Sequence, residues 1–310
     1  MTRTARALEL FSRLMPLWVV LLGAAGYVHP PLLTPVGPYL PWLFMGTMVG
    51  VGALLDPEDF NPVLKRPHLV AAGTATQFAV MPLSGYVVAR LLHFPPELAF
   101  GFVLVGSVPG AMASNVISYL AGADVAYSIA LTTTSTFLSP ILSPAATYLL
   151  ARQWIEIDFL AMLAVILKLV VGPLVLGMLL RRMLRGHVRA LAMICPAFST
   201  LCIALICAFV VAANQKKLAS LSLALCAGVV LHNAVGLAAG WGAGGLLSFP
   251  RRRRRTLAIE VGMQNAGLGA LLATELYTPL TALPSALFAS WCVVTASALA
   301  AWWRRQCLVQ

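Results

Sequence analysis

The chain has 310 residues, of which 60% are hydrophobic and only 10% are charged. An average soluble domain carries about 25% charged residues, so this composition excludes an ordinary soluble protein. The formal net charge of +11 would suit a nucleic-acid partner, but the basic residues flank long apolar segments and therefore indicate a membrane protein.

The sequence predicts ten membrane-spanning helices and leaves almost no room for a soluble domain. A helix needs about 20 apolar residues to cross the hydrocarbon core of a bilayer. The segments that meet this requirement lie near residues 14–29, 38–55, 68–92, 98–120, 125–151, 157–180, 190–213, 218–247, 255–277 and 281–303. The fold class that follows is all-α and integral to the membrane.

The basic residues predict how these segments are oriented. If the segments alternate, 16 of the 21 lysines and arginines fall on the side that holds the N-terminus, and four fall on the other side. Because loops rich in Lys and Arg stay in the cytoplasm, we expect both termini to be cytoplasmic. We interpret the run Arg251–Arg255 as a solvated cluster that faces lipid headgroups. We expect no nucleic-acid partner and no obligate protein partner.

Two of the segments carry helix-breaking strings in mid-span. The fourth contains Val108–Asn115 (VPGAMASN), and the ninth, which is the fourth of the second half, contains Glu260–Gly267 (EVGMQNAG). Pro and Gly disfavour a helix interior, and non-helical backbone survives at membrane depth only where protein or a cavity satisfies it. Five segments per half also give the halves opposite orientations, as in many transporters. These features predict two inverted repeats whose broken helices cross at a binding site.

Glu260 is the acidic residue that lies well inside an apolar segment. A charged residue at mid-bilayer costs roughly 3 kcal/mol, so the position requires a compensating partner. The residues near it in the predicted core offer hard oxygen ligands, which suit Na⁺ better than a transition metal. These are Gln77, Ser114, Asn115, Gln264 and Asn265.

Other polar residues have a simpler interpretation beside the functional one. Ser128 and Thr132 share a helix face, but hydroxyls in membrane helices commonly bond to their own carbonyls. Lys168 is expected to extend toward an interface, and Asp124 to cap the fifth segment. We expect His232 to be packed and the six cysteines to be buried free thiols.

Several strings resemble the bile acid:sodium symporter family, and the resemblance runs from the first segment to the last. The strings are PGAMASNV at 109–116, YLAGADVAYS at 119–128, LHN at 231–233 with Gly236, AIEVGMQNAGL at 258–268 and LPSALF at 283–288. The resemblance implies a panel domain (1–66 with helices 1–2, and 153–215 with helices 6–7) and a core domain (67–152 with helices 3–5, and 216–310 with helices 8–10). It also implies that broken helices 4 and 9 cross in the core.

The same resemblance implies two coupling Na⁺ ions. One ion would be bound by Ser114, Asn115, Ser128, Thr132 and Glu260. The other would be bound by Gln77, Glu260, Gln264 and the backbone carbonyls of Val261 and Met263. Two Na⁺ beside one carboxylate leave a net charge of +1, so a monovalent organic anion would make the loaded core neutral.

The residues expected to line the substrate depart in part from the family pattern. Bacterial relatives usually carry Gly-Thr where this chain has Ala111-Met112, and often His-Asn where it has Cys292-Val293. The expected substrate is a small organic anion: bile-acid-like, pantoate or an oxo-acid carboxylate. The expected contacts are Asn265, Met112, Ala113, Ala266, Gly267, Cys292 and Val293. The bacterial inner membrane is the location that the family and the helical architecture imply.

Three other functions are alternatives to sodium symport for this sequence. A proton-coupled or metalloid carrier of the same fold would be expected to place a functional Cys in the fourth-segment break, where the nearest residue is Met112. An intramembrane enzyme would need paired acids or a base beside a nucleophile, and one Glu260 among amides does not supply them. A purely structural or receptor role predicts no flux of substrate across the membrane, and the energetic cost of a buried Glu260 argues against it. The sequence therefore favours a transporter and not an enzyme.

Overall fold

A computed structural model describes residues 3–56, 58 and 65–308, and within these ranges the regular structure is helical apart from an isolated β-bridge. The first four α-helices are α1 (Arg3–Arg13), α2 (Met15–Val28), α3 (Leu40–Leu54) and α4 (Pro67–Leu91). Two short 3₁₀ turns, Pro30–Leu32 and Thr34–Tyr39, connect α2 to α3.

The remaining helices follow the predicted segments, with two interruptions. They are α5 (Pro96–Ser107), α6 (Ala113–Leu120), α7 (Val125–Ala151), α8 (Phe159–Ile166), α9 (Gly172–Met183), α10 (Val188–Ala213), α11 (Gln215–Leu246), α12 (Arg251–Gly262), α13 (Ala266–Leu276) and α14 (Leu283–Leu308). A π turn over Leu167–Val171 joins α8 to α9 without a break. The predicted segments 98–120 and 255–277 are thus each two helices.

Five helical stretches in the described ranges are long and apolar enough to cross a membrane, and a sixth results if the bent pair α1–α2 is one span. The five are Val125–Ala151, Phe159–Met183, Ala190–Ala213, Leu223–Leu246 and Leu283–Arg305. An all-α membrane protein is therefore confirmed, whereas α2 and α3 are shorter than expected, at 14 and 15 residues.

Small residues let neighbouring helices approach closely. A Cβ added to Gly52 of α3 would lie 2.0 Å from the Leu174 carbonyl oxygen of α9, and one added to Gly177 would lie 2.1 Å from the Val49 carbonyl oxygen. Close backbone contact of this kind is how helices associate in membranes, where lipid is as apolar as the side chains. Helices α3 and α9 therefore form one tightly packed pair, and α10 packs on α2 and α3.

The interpretation of Arg251–Arg255 as a solvated cluster is wrong for its last three members. Arg253 forms an ion pair with Asp124 at 3.2 Å, and the Arg254 guanidinium lies 4.3 Å from the centre of the Trp241 ring. Arg255 is only 6% exposed and donates to the Ala121 carbonyl oxygen at 3.1 Å. Cations are disfavoured at a helix N-terminus, and these contacts with distant parts of the chain compensate for that cost.

The smaller expectations have mixed outcomes. Asp124 caps α7 by accepting a hydrogen bond from Tyr127 N, as predicted. His232 is fully buried and bonds to Ser84 Oγ at 2.6 Å, as expected for a packed residue. Lys168 is exposed on the π turn. The cysteines are free but differ in burial: Cys202, Cys207 and Cys292 are buried, Cys195 is partly buried, Cys226 is exposed, and the Cys307 side chain lies outside the described residues.

Candidate cation and substrate site

The two interrupted helices meet at their breaks. Ala111 N donates to the Met263 carbonyl oxygen at 3.0 Å, and Asn265 N donates to the Pro109 carbonyl oxygen at 2.8 Å. These bonds form the antiparallel bridge between Gly110 and Gln264. Buried backbone groups need partners, and each break supplies the groups that the other has lost. The two helix-breaking strings therefore act as one structural unit.

Residues outside both strings complete this unit, and the sequence assigned them no role, although Asn233 belongs to the LHN string at 231–233. Asn233 Nδ2 of α11 donates to the Gly262 carbonyl oxygen at 2.8 Å, and its Oδ1 accepts from Thr295 Oγ1 at 2.7 Å. Gly110 N donates to Ser135 Oγ at 3.4 Å. A buried Asn in mid-helix was the available signal for Asn233, but its partner could not be read from the sequence.

Glu260 lies at the centre of the first cluster of oxygens and is 1% exposed. Ser114 Oγ donates to Glu260 Oε1 at 2.5 Å, and Ser128 Oγ donates to the same oxygen. Thr132 Oγ1 lies 3.0 Å from both carboxylate oxygens. Helices α6, α7 and α12 thus bring three hydroxyls to one buried carboxylate. The contacts of Ser128 and Thr132 with Glu260 therefore favour a role in the candidate site over a purely local role within their own helix.

The hydroxyl of Thr132 shows that this cluster has more acceptors than protons. Five oxygens lie within 3.4 Å of Thr132 Oγ1: Ser114 Oγ, Asn115 Oδ1, the Ser128 carbonyl oxygen and both oxygens of Glu260. A hydroxyl donates one proton, and the Ser114 proton goes to Glu260, so most of these contacts bring lone pairs together. A bound cation would turn this repulsion into attraction, and the oxygen-only donor set suits a hard ion.

A second cluster, made of amides and carbonyls, also lies near Gly110. Gln77 Nε2 donates to Gln264 Oε1 at 3.2 Å, and Gln264 Nε2 donates to the Val261 carbonyl oxygen at 2.8 Å. Gln77 Oε1 is buried and has no hydrogen-bond partner among the described residues. A Cβ on Gly110 would lie 2.8 Å from Glu260 Oε2 and 3.7 Å from both amide atoms of Gln77. The Glu260 carboxylate and the Gln77 amide therefore both lie close to Gly110.

The expected substrate residues fall into two groups. Met112, Ala113 and Asn265, at the starts of α6 and α13, are partly exposed. Asn265 Oδ1 caps α13 by accepting from Leu268 N at 3.2 Å. The others are buried in this structure, and they are Ala266, Gly267, Cys292 and Val293.

A buried ion site at the crossing of two discontinuous helices is typical of secondary transporters. The model of the Sodium Bile acid symporter family matches residues 41–221 of this chain. The chain therefore belongs to that family, as its strings predicted, and is a multi-pass membrane protein of a sodium-dependent transporter family.

Individual relatives extend the match to nearly the whole chain. The chain is 36% identical to the uncharacterized sodium-dependent transporter YocS of Bacillus subtilis, over 94% of this chain and 90% of that protein. It is 35% identical to the probable sodium/metabolite cotransporter BASS1, chloroplastic, of Arabidopsis thaliana, over 96% of this chain and 75% of that protein. It is 32% identical to the probable sodium/metabolite cotransporter BASS2, chloroplastic, of Oryza sativa subsp. japonica, over 97% of this chain and 72% of that protein.

Proposed function

We propose that this protein is a symporter that takes up one small organic anion with two Na⁺ ions by alternating access. The observation that carries the proposal is the excess of acceptor oxygens around Glu260, which a cation would neutralise. Sodium is the ion named in the relatives' descriptions. The oxygen donors of both clusters are consistent with that ion.

The first Na⁺ would be bound where the hydroxyls converge on the carboxylate, by Ser114, Asn115, Ser128, Thr132 and Glu260. The second would be bound by Gln77, Glu260, Gln264 and the carbonyls of Val261 and Met263. The unpartnered Gln77 Oε1 supports this second set. The Val261 and Met263 carbonyls accept hydrogen bonds from Gln264 and Ala111, and the second lone pair of each carbonyl oxygen would bind the ion.

The architecture proposed for this function has ten spans in two inverted repeats. The breaks at 108–112 and 263–265 interrupt the fourth span of each half. The panel would comprise 1–66 and 153–215, and the core 67–152 and 216–310. Packing supports this division, because α10 packs on α2 and α3, and α9 packs on α3, while α4, α5 and α7 form a second packed group with α11 to α14.

Charge supports an anionic substrate. Two Na⁺ and one carboxylate leave a net charge of +1, which a monovalent carboxylate would neutralise before the core moves. The starts of α6 and α13 lie at the crossing, and helix N-termini favour anions. One net positive charge would enter per cycle, and the membrane potential supplies about 2.3 kcal/mol per 100 mV for it.

The packing supports a state that is open toward the cytoplasm. Asn214 Nδ2 donates to the Pro279 carbonyl oxygen at 2.7 Å and so joins panel to core at one end. At the other end, Val116 and Tyr119 of α6 are 55% and 70% exposed. With cytoplasmic termini, the joined end faces outward and α6 faces the interior of the cell. A bacterial inner membrane would suit this orientation.

We propose that the substrate is a small organic anion, either bile-acid-like, pantoate or an oxo-acid carboxylate, and that the site prefers a more apolar carboxylate. Met112 supplies a thioether beside Asn115, 3.8 Å from its Nδ2, where relatives usually carry Thr. We expect Met112→Thr to shift uptake toward more polar carboxylates, measured as the ratio of kcat/KM values for matched pairs. An unchanged ranking would remove Met112 from the specificity argument.

Thermal stabilisation of the detergent-purified protein tests the cation site directly. We expect Na⁺ to raise the Tm more than K⁺ or choline at equal ionic strength, because an ion that binds only the folded state stabilises it. Glu260→Gln should abolish the Na⁺-specific increment. Glu275→Gln, on an exposed position of α13, is the matched control and should retain it. Equal Tm values in all three salts would favour a proton-coupled or metalloid carrier instead.

A further inference from the structure

Helices α7 and α12, which contribute to the first cluster of oxygens, are also joined one helical turn away from it. Ser128 of α7 and Glu260 of α12 are in direct contact. Four positions before these two residues in the sequence lie Asp124 and Thr256. Since four residues span about one helical turn, a contact between Asp124 and Thr256 lies directly behind the contact between Ser128 and Glu260.

Thr256 makes this contact through both functions of its hydroxyl. Thr256 Oγ1 accepts a hydrogen bond from Asp124 N at 2.9 Å and donates one to the Asp124 carbonyl oxygen at 2.9 Å. The residue is 0% exposed. One buried side chain thereby bonds the backbone N–H and C=O of the residue that caps α7.

The position of Asp124 in turn determines that of Ser128. The carbonyl oxygen of Asp124 accepts the first backbone bond of α7, from Ser128 N at 3.0 Å. The carboxylate of Asp124 caps Tyr127 N at 3.2 Å and pairs with Arg253 of α12 at 3.2 Å. The bonds between Thr256 and Asp124 therefore hold Ser128 in step with Glu260, and their loss would let Glu260 move relative to Ser128.

We propose that Thr256 is a positioning residue for the cation site: it sets the register of α12 against α7 so that Glu260 meets Ser128 and Thr132. This inference rests on the proposed sodium function of Glu260. Thr256 itself touches no ion. Its effect is to keep the carboxylate and the two hydroxyls at ligand distance, and α6 contributes Ser114 independently of it.

Na⁺ titration of thermal stability in three variants tests the inference. The measured quantity is the Na⁺ concentration that gives half of the maximal Tm increment, with choline replacing Na⁺ at constant ionic strength. Thr256→Val keeps the shape and removes both hydrogen bonds to Asp124, and should raise this concentration at least about fivefold. It leaves Asp124 N with only the longer contact to the Arg252 carbonyl oxygen, at 3.3 Å. Thr256→Ser keeps the hydroxyl and should stay within about twofold of the wild type.

Thr133→Val is the matched control on α7. Thr133 is 1% exposed, and its hydroxyl has no hydrogen-bond partner in the part of the chain that the structure describes. The same substitution there removes a buried hydroxyl without breaking a bond between the helices. It should leave the half-saturating Na⁺ concentration unchanged.

The outcomes separate the inference from the proposed function. If the wild type responds to Na⁺ and Thr256→Val has the same half-saturation, with or without a lower Tm in choline, the positioning role is overturned and the sodium function stands. If the wild type itself shows no Na⁺-specific increment, the sodium function fails, and the inference fails with it. Should Thr256→Val not fold, Arg253→Gln replaces it. That variant weakens the same joint and should raise the half-saturating concentration about twofold to threefold, and no rise would overturn the inference.

Discussion

The two helices that follow the breaks, α6 and α13, begin with similar chemistry and end in different surroundings. Both start beside Gly and amide residues at the crossing, with lengths of eight and 11 residues. Residues 266–273 of α13 are all buried, and Asn265 caps its first turn. α6 begins at Ala113, the preceding Met112 provides no side-chain cap, and Tyr119 of α6 is 70% exposed.

Their packing partners explain the difference. Helix α13 contacts α3, α8 and α10 as well as α5 and α14, whereas the principal contacts of α6 are with α7, α12 and α14. The same kind of sequence break therefore gives a closed half on one side of the crossing and an open half on the other. An alternating-access cycle would exchange these two environments.

The largest expected effect comes from adding a methyl group at the first break, where Gly110 lies close to Glu260. Gly110→Ala would place a methyl group 2.8 Å from Glu260 Oε2, and overpacking of this kind costs about 1–3 kcal/mol, so Na⁺ half-saturation should rise about tenfold. Gly267→Ala is the matched change at the second break, where the nearest atom, Ile203 Cγ1, lies at 3.3 Å on a flexible side chain. Equal effects of the two substitutions in a Na⁺-dependent uptake assay would contradict the asymmetry.

Cysteine accessibility measures the open and closed halves themselves. Tyr119→Cys should react with a membrane-impermeant maleimide from the cytoplasmic side of inverted vesicles, because the position is exposed on the side that is proposed to be open toward the cytoplasm. Leu272→Cys, at a position that is 0% exposed, should remain unreactive. The wild type, with its exposed Cys226, gives the background. Labelling of both variants at the same rate would show that α6 and α13 do not differ in exposure.

The smallest expected effect concerns the caps. Asn265→Ala removes the acceptor for Leu268 N and should lower the free energy of unfolding by about 1 kcal/mol. Asn265→Asp keeps the acceptor and should restore most of that loss. Chemical denaturation in detergent gives these values, and a loss with Asn265→Asp equal to that with Asn265→Ala would exclude capping as the cause.

Much of the candidate site was predictable because its residues are costly where they stand. A carboxylate, several amides and helix-breaking glycines in apolar segments each demand a compensating partner, so Glu260 and the strings around Pro109 and Gln264 could be found one by one. The same reasoning left Ser128 and Thr132 open, because a hydroxyl can satisfy itself within its own helix. Only the distance to Glu260 favours the functional interpretation.

The interpretation of the arginine run failed for a related reason. Arg residues beside a membrane are stable in headgroups, so the sequence offers no sign that Arg255 donates to Ala121, 134 positions earlier in the chain. The roles of Asn233 and Thr256 could not be predicted for the same reason. Their roles lie in bonds to the backbone of other helices, and backbone groups carry no residue-specific signal.

The sequence by itself determined the membrane class, the family, the two breaks and the central carboxylate, because hydropathy and the cost of charge in lipid are properties of single segments. The tertiary structure decided which oxygens surround Glu260, which helix ends are open and which side chains join α7 to α12. Those features depend on distances between segments far apart in the chain, and packing sets those distances.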